Sequence, residues 1–169
     1  GLVYLLFRFQ KYKTVLLCLF SAVILTGFAN FYINYFSVFP NEQSRSFQYA
    51  LSKTIPYVIK HQGQYKKIVF SNNDNLYQSY MFFLYYSIYD PVMYQKQGGT
   101  KSGGYAENHL LGKYEFRPIN WNKEEKTDTL FVGNPKDIAE EGTVLFEGKY
   151  LDGNIGTKVA VGSSTKQSK

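Results

Sequence analysis

A chain of 169 residues has room for one domain of ordinary size plus an appendage. Its apolar content is that of a folded protein, and its aromatic share of 18%, carried by sixteen Tyr and fourteen Phe, favours surfaces that are half apolar and half hydrogen-bonding. The formal charge is +6, but Arg8, Lys11 and Lys13 precede the main apolar segment; removing these three from nineteen Lys and Arg leaves sixteen against thirteen acids, about +3 with no basic stripe, so no nucleic-acid footprint is present. The single cysteine, Cys18, rules out a disulfide within the chain.

From Thr14 to Asn41 there is no charged residue, and the strongest part, Thr14 to Ala29, leads into Phe31, Tyr32, Tyr35, Phe36 and Phe39. A helix of about twenty apolar residues spans a bilayer core, and aromatic residues gather where it meets the headgroups. The segment predicts a transmembrane helix over 14–37. The positive-inside tendency puts Arg8, Lys11 and Lys13 in a cytoplasmic turn, 8–13, and the residues after Pro40 outside. "GLVYLLF", residues 1–7, reads as the end of a preceding transmembrane helix. A signal peptide fits poorly, because no small-x-small cleavage site ends the run. A buried core helix fits poorly too, because Val15 to Leu25 lacks a polar face.

The remainder, 38–163, is expected to be an extracytoplasmic α/β domain, with a disordered tail over 164–169. Phe47, Leu51, Ile55, Val58 and Ile59 fall at helical spacing, with Asn41 or Ser44 as cap and Pro56 as an interruption. Ile68, Val69 and Phe70 form a short buried strand ended by "SNNDN". "LYQSYMFFLYYSIY", Leu76 to Tyr89, is a helix apolar on nearly every face and broken at Pro91. "KQGGTKSGG" is a loop. Strands are expected in "KYEFRPINW", "TDTLFVGNP", "GTVLFEGKY" and "TKVAVGSS". The fold class is α/β: a transmembrane helix, then a mostly central sheet flanked by helices.

Motifs for chemistry are sparse. His61 and His109 have no second ligand at metal spacing, so no metal site is predicted. No G-x-S-x-G, Walker or G-x-G-x-x-G pattern occurs, and no catalytic residue is assigned. Asp90 beside Pro91 makes a turn; an acid or base would need a second group within reach. "VFSNNDNLYQSY" is the more informative stretch. It places Ser71, Asn72, Asn73 and Asp74 at the carboxyl end of a strand, where open α/β sheets bind ligands, with Tyr77 close behind. Asn, Asp and Tyr suit sugar hydroxyls through directional hydrogen bonds, although the same residues serve as helix caps. Arg117 in "FRPINW" suits a phosphate bidentately, caps a sheet edge, or pairs with Glu115 or Glu124. The substrate-binding candidates are Asn72, Asn73, Asp74, Tyr77 and Arg117.

The aromatic end of the span, "YFSVFP", the "SFQYALSKTIPYV" helix, "YKKIVFSNNDNLYQSYMFFLYYSIYDPVMYQ" and "YEFRPI" together resemble a known family. Over Tyr35 to Ile119 the chain looks like the C-terminal region of bacterial family-39-like membrane glycosyltransferases, relatives of the dolichyl-phosphate-mannose protein mannosyltransferases. The resemblance implies a polytopic enzyme of the GT-C type in the cell membrane, moving a sugar from a polyprenyl-phosphate carrier to a glycan or protein acceptor on the outer face. It places the catalytic acids in a first outer loop that this segment does not include, and Asp90 and Glu115 do not match them. The segment itself would be non-catalytic, would hold acceptor or structure, would need no cofactor, and would partner the membrane and an upstream transmembrane part; a divalent metal in the full enzyme is left open. Two other readings stand beside it: a membrane-tethered module binding glycan or protein, and a scaffold in a transporter or secretion complex.

Overall fold

The computed structural model describes Gly1, Tyr4, Arg8, residues 10–103 and residues 106–162. The expected preceding span over 1–7 falls largely outside them, and the tail over 164–169 entirely so. The chain divides into two compact units, Gly1–Glu42 and Gln43–Lys169.

In the first unit, a 3-10 turn, Gln10–Tyr12, falls within the expected 8–13 turn and leads into helix α1, Lys13–Ile33. A π-helical turn, Asn34–Val38, and a short helix α2, Phe39–Gln43, follow without a break. Among the described residues this run, Lys13–Gln43, is the one helix long and apolar enough to cross a membrane. No residue of α1 is buried. Its aromatic end is ordered by rings one turn apart: Tyr32 lies 4.7 Å from Phe36, and Phe31 lies 5.6 Å from Tyr35. Asn34 sends its side-chain amide back to the Asn30 carbonyl at 2.8 Å, so the polar group is satisfied along the helix.

The second unit is an open, mixed six-stranded sheet with helices. Its strands are β1, Lys67–Phe70; β2, His109–Leu111; β3, Tyr114–Phe116; β4, Thr129–Gly133; β5, Thr143–Lys149; and β6, Ile155–Val161. Their order across the sheet is β2-β3-β1-β4-β6-β5. β1 is parallel to both β3 and β4, and the outer pairings are antiparallel. Because strand side chains alternate, the register sorts the apolar residues into two layers. Ile68 stands opposite Leu130, Phe70 opposite Val132, and Val132 opposite Val159, all on one face. Val69, Phe131 and Ala160 form a row on the other.

Helix α3, Leu51–His61, and helix α4, Ser79–Tyr86, supply Leu51, Ile55, Val58, Tyr80 and Phe83 to the first face. The second face is covered by Ile119, Trp121 and Ile138 from loops and a 3-10 turn, Trp121–Lys123. The α-helical cover of the core is therefore one-sided, a correction to a sheet flanked by helices. Trp121 fits because Gly142 faces its ring: a Cβ at Gly142 would lie 2.7 Å from Trp121 Cζ2. Phe70, Phe83 and Phe116 form an aromatic nucleus with ring centres 5.1 to 5.8 Å apart. Each buried Phe contributes about 1.5–3 kcal/mol relative to an exposed one.

Several local expectations change. Neither Asn41 nor Ser44 caps α3; residues 44–50 are turns, the helix starts at Leu51, and its N-cap Ala50 offers no side-chain bond. Pro56 lies inside α3 without ending it. The Leu76–Tyr89 helix is split into a 3-10 turn, Asp74–Leu76, and α4, because Gln78 and Ile88 leave helical geometry; Ile88 has φ 50°. Pro91 starts a helix rather than only ending one. α5, Pro91–Lys96, has proline in its first turn, where no donor is lost, and Asp90 caps it by accepting from the Val92 N–H at 2.8 Å.

Candidate functional site

The two parallel neighbours of β1 bring three strand carboxyl ends together. The chain crosses from β3, on one side of β1, to β4 on the other, so this end of the sheet is a topological switch point. Two adjacent clefts open there.

The first is lined by Asn72, Asn73, Asp74, Tyr77 and Ala106. Four of the five residues singled out from the sequence thus meet in one place. They do not play equal parts. Asn72 is 3% exposed, and its side-chain amide donates to the Ala106 carbonyl at 3.0 Å and to Asn108 Oδ1 at 3.0 Å. It is a brace that holds the 106–108 segment against the end of β1, not a helix cap. No side chain caps the 3-10 turn that follows; the Ser71 hydroxyl accepts from the Asn73 N–H at 3.2 Å, a bond local to the strand end. Asn73 is half-buried and donates to Asp137 Oδ1 at 3.4 Å. Asp74 is exposed and adopts φ 48°, a left-handed conformation that Asp tolerates better than most residues.

The second cleft, about 320 Å³ in volume, shares Asp74 with the first and adds Asn75, Arg45 and Tyr150. Its far wall is the turn after β4, with Asn134 and Lys136. Asn134 Oδ1 accepts from the Lys136 and Asp137 N–H groups at 2.8 and 3.2 Å, which fixes how the amide is turned. Its Nδ2 is buried and has no partner among the described residues. An unmet buried donor of this kind costs about 1–3 kcal/mol. Gly133 makes the turn possible: a Cβ there would lie 2.9 Å from Asp137 Cβ. Arg45 donates from Nε and Nη2 to Asp152 Oδ2 at 3.1 and 3.0 Å, and its guanidinium lies 5.7 Å from the centre of the Tyr150 ring. Asn154 first, through its hydrogen bonds, and then Arg45 hold the Asp152 carboxyl below its ordinary range. Sequence reading overlooked this cleft. The signal was there in "LFVGNPK", a second strand ending in a turn-forming Asn.

Arg117 follows β3 at the same end of the sheet, and its N–H donates to the Phe70 carbonyl at 3.0 Å. Its guanidinium is already committed: to Glu124 at 2.6 and 2.8 Å, to Glu115 at 2.8 Å and to the Pro118 carbonyl at 3.1 Å. It lines neither cleft. Of the three roles open to it in the sequence, the structure supplies pairing with Glu115 and Glu124.

His109 stacks on Tyr80 with ring centres 3.9 Å apart, and its Nε2 is buried without a hydrogen-bond partner. Glu107 lies 3.9 Å away but is bound to the Lys101 and Ser102 N–H groups at 2.7 and 2.9 Å. Among the described residues, no group of three or more His, Cys, Asp and Glu is placed to hold a metal ion.

Fold and site together define an α/β domain with paired polar clefts at the sheet's switch point, in a chain that also carries an apolar helix long enough to cross a membrane. No protein-family model, curated protein or solved structure matches this chain.

Proposed function

We propose that this chain is the last membrane span and outer domain of a polytopic glycosyltransferase that uses a polyprenyl-phosphate sugar, and that the domain holds the acceptor glycan rather than performing the transfer. The observation that carries the reading is the pair of adjoining clefts sharing Asp74 at the carboxyl ends of β1 and β4. Their walls offer Asn, Asp, Tyr and Lys side chains, the groups that recognise sugar hydroxyls. The membrane assignment draws on the Lys13–Gln43 helix and on the cations before it. The resemblance over Tyr35 to Ile119 supplies the enzyme class. In this reading the domain is extracytoplasmic and the whole protein multi-pass.

The coding DNA upstream of the Gly1 codon tests the enzyme part. A frame running through further apolar segments of about twenty residues, with acidic residues in the first outer loop, is the expected result. A start codon directly before Gly1 would reduce the helix to a lone anchor and overturn it. The same clefts, complete within the second unit, would then serve a membrane-tethered glycan-binding module.

A further inference from the structure

Helix α4 ends on a residue that neither its backbone nor its surroundings favour. The Ile88 N–H donates to the Tyr85 carbonyl at 3.2 Å, and the Tyr89 N–H donates to the Leu84 carbonyl at 3.0 Å. The two bonds make a Schellman end, whose left-handed residue is usually Gly or Asn. Here it is Ile88, at φ 50°, a conformation that crowds a β-branched side chain. That side chain is 91% exposed, so burial within the domain does not offset the strain. Its neighbours are exposed and apolar too: Met81 and Tyr85, one turn apart on α4, and Val92 and Met93 in the first turn of α5. No residue from Leu76 to Tyr89 is charged, and the Asp90 carboxylate at the patch edge accepts from the Val92 N–H.

Two observations choose what covers this patch. The membrane-length helix runs to Gln43, and the second unit begins at that same residue, so in a bilayer no linker separates the domain from the lipid surface. A short tether supplies a high effective concentration, and a few apolar side chains then suffice. The patch is also small. A specific protein interface takes about 20–30 residues a side, far more than five side chains around a protruding one. A fluid bilayer interface asks for no matching groove, and the Tyr85 ring with its polar tip suits the headgroup level.

We infer that the edge formed by α4, the 87–90 turn and α5 seats on the lipid surface, with Ile88 and Val92 in the apolar boundary and Tyr85 among the headgroups. The inference rests on the membrane part of the reading above and not on the enzyme class.

The test places spin labels on the full chain in nanodiscs of neutral phosphatidylcholine, with Cys18→Ser removing the native thiol. Met81→Cys and Val92→Cys carry the label on the patch. Lys136→Cys gives an exposed reference on another element, and Leu25→Cys reports the helix itself. The ratio of collisions with oxygen to collisions with a water-soluble nickel chelate should be several-fold higher at Met81 and Val92 than at Lys136. Ile88→Asn, which suits the left-handed position, should hold or raise the melting temperature and bring the Val92 ratio down toward the reference. Patch labels as open to nickel as Lys136, with Leu25 in lipid, would overturn the inference and leave the span intact. Leu25 open to nickel as well would overturn both. Patch labels shielded from both reagents, with dipolar broadening that unlabelled chain dilutes away, would put a second copy on the patch and overturn the lipid assignment. An unchanged Val92 ratio in Ile88→Asn would overturn the role given to Ile88.

Discussion

Asn72 reaches across 36 positions of sequence to Asn108, its side-chain amide donating to Asn108 Oδ1 at 3.0 Å from a site only 3% exposed. The bond joins the end of β1 to the segment entering β2, and so shapes one wall of the first cleft. Replacing Asn72 by Leu keeps the volume but leaves the Ala106 carbonyl and Asn108 Oδ1 without this donor. The variant is expected to lose about 1–3 kcal/mol of stability in urea unfolding. Exchange of amides 106–111 should quicken more than that of β4. Stability equal to the parent would show that the brace is idle.

Arg117 ties Glu115 and Glu124 to the carboxyl end of β3. Burial pushes the Glu115 carboxyl up, and the bonds from Lys67 and Arg117 more than reverse it; Arg117 itself lowers Glu124. Carboxylates with depressed folded pKa values contribute stability that is present above their unfolded values and lost as the pH falls through the folded ones. The acid limb of the stability curve should therefore be steep below about pH 4.5, and Arg117→Ala should flatten it. Denaturant titrations from roughly pH 7 to pH 3 check this; parallel curves for both proteins would remove Arg117 from the account.

His109 behaves in the same direction for a different reason. Burial lowers its pKa, with Glu107 opposing and Lys101 assisting. Below the ordinary value of 6.5 the unfolded chain binds a proton that the folded one resists. Stability is thus full above that value and declines as the pH falls. Substituting Phe preserves an aromatic ring to stack on Tyr80 and removes the titration. The variant should show less loss between about pH 7 and pH 5, read by thermal melting across that range.

Gly148 sits where α3 meets the β5–β6 pair. A Cβ there would overlap the hydroxyls of Thr54 and Thr157, which lie 2.5 Å apart, and would come within 2.8 Å of the Ala50 carbonyl oxygen. Gly148→Ala should cost about 1–3 kcal/mol by overpacking. Gly63→Ala, with nothing within 4 Å of the added carbon, is the control and should be nearly neutral. Calorimetry of the two variants separates the outcomes.

The long apolar run from Thr14 and the short apolar run of Ile68, Val69 and Phe70 needed no partner to be read, because the length of an apolar run is a local property of a chain. The place of "SNNDN" at a strand end was legible for the same reason, as a polar cluster directly after a buried strand. What Asn72, Asn73 and Arg117 do there was not. Each has two or more chemically adequate partners along the chain, and only packing chooses among them: Ala106 and Asn108 for Asn72, Asp137 for Asn73, Glu115 and Glu124 for Arg117. The three-residue strands β2 and β3 were likewise hidden or overextended in sequence, since their extent is set by pairing with each other and of β3 with β1. Local chemistry determined the apolar helix, the first strand and the polar turn that ends it. The tertiary structure alone decided that β4 lies beside β1, because that adjacency is a long-range pairing, and with it that Asn134 and Lys136 stand across a cleft from Asp74.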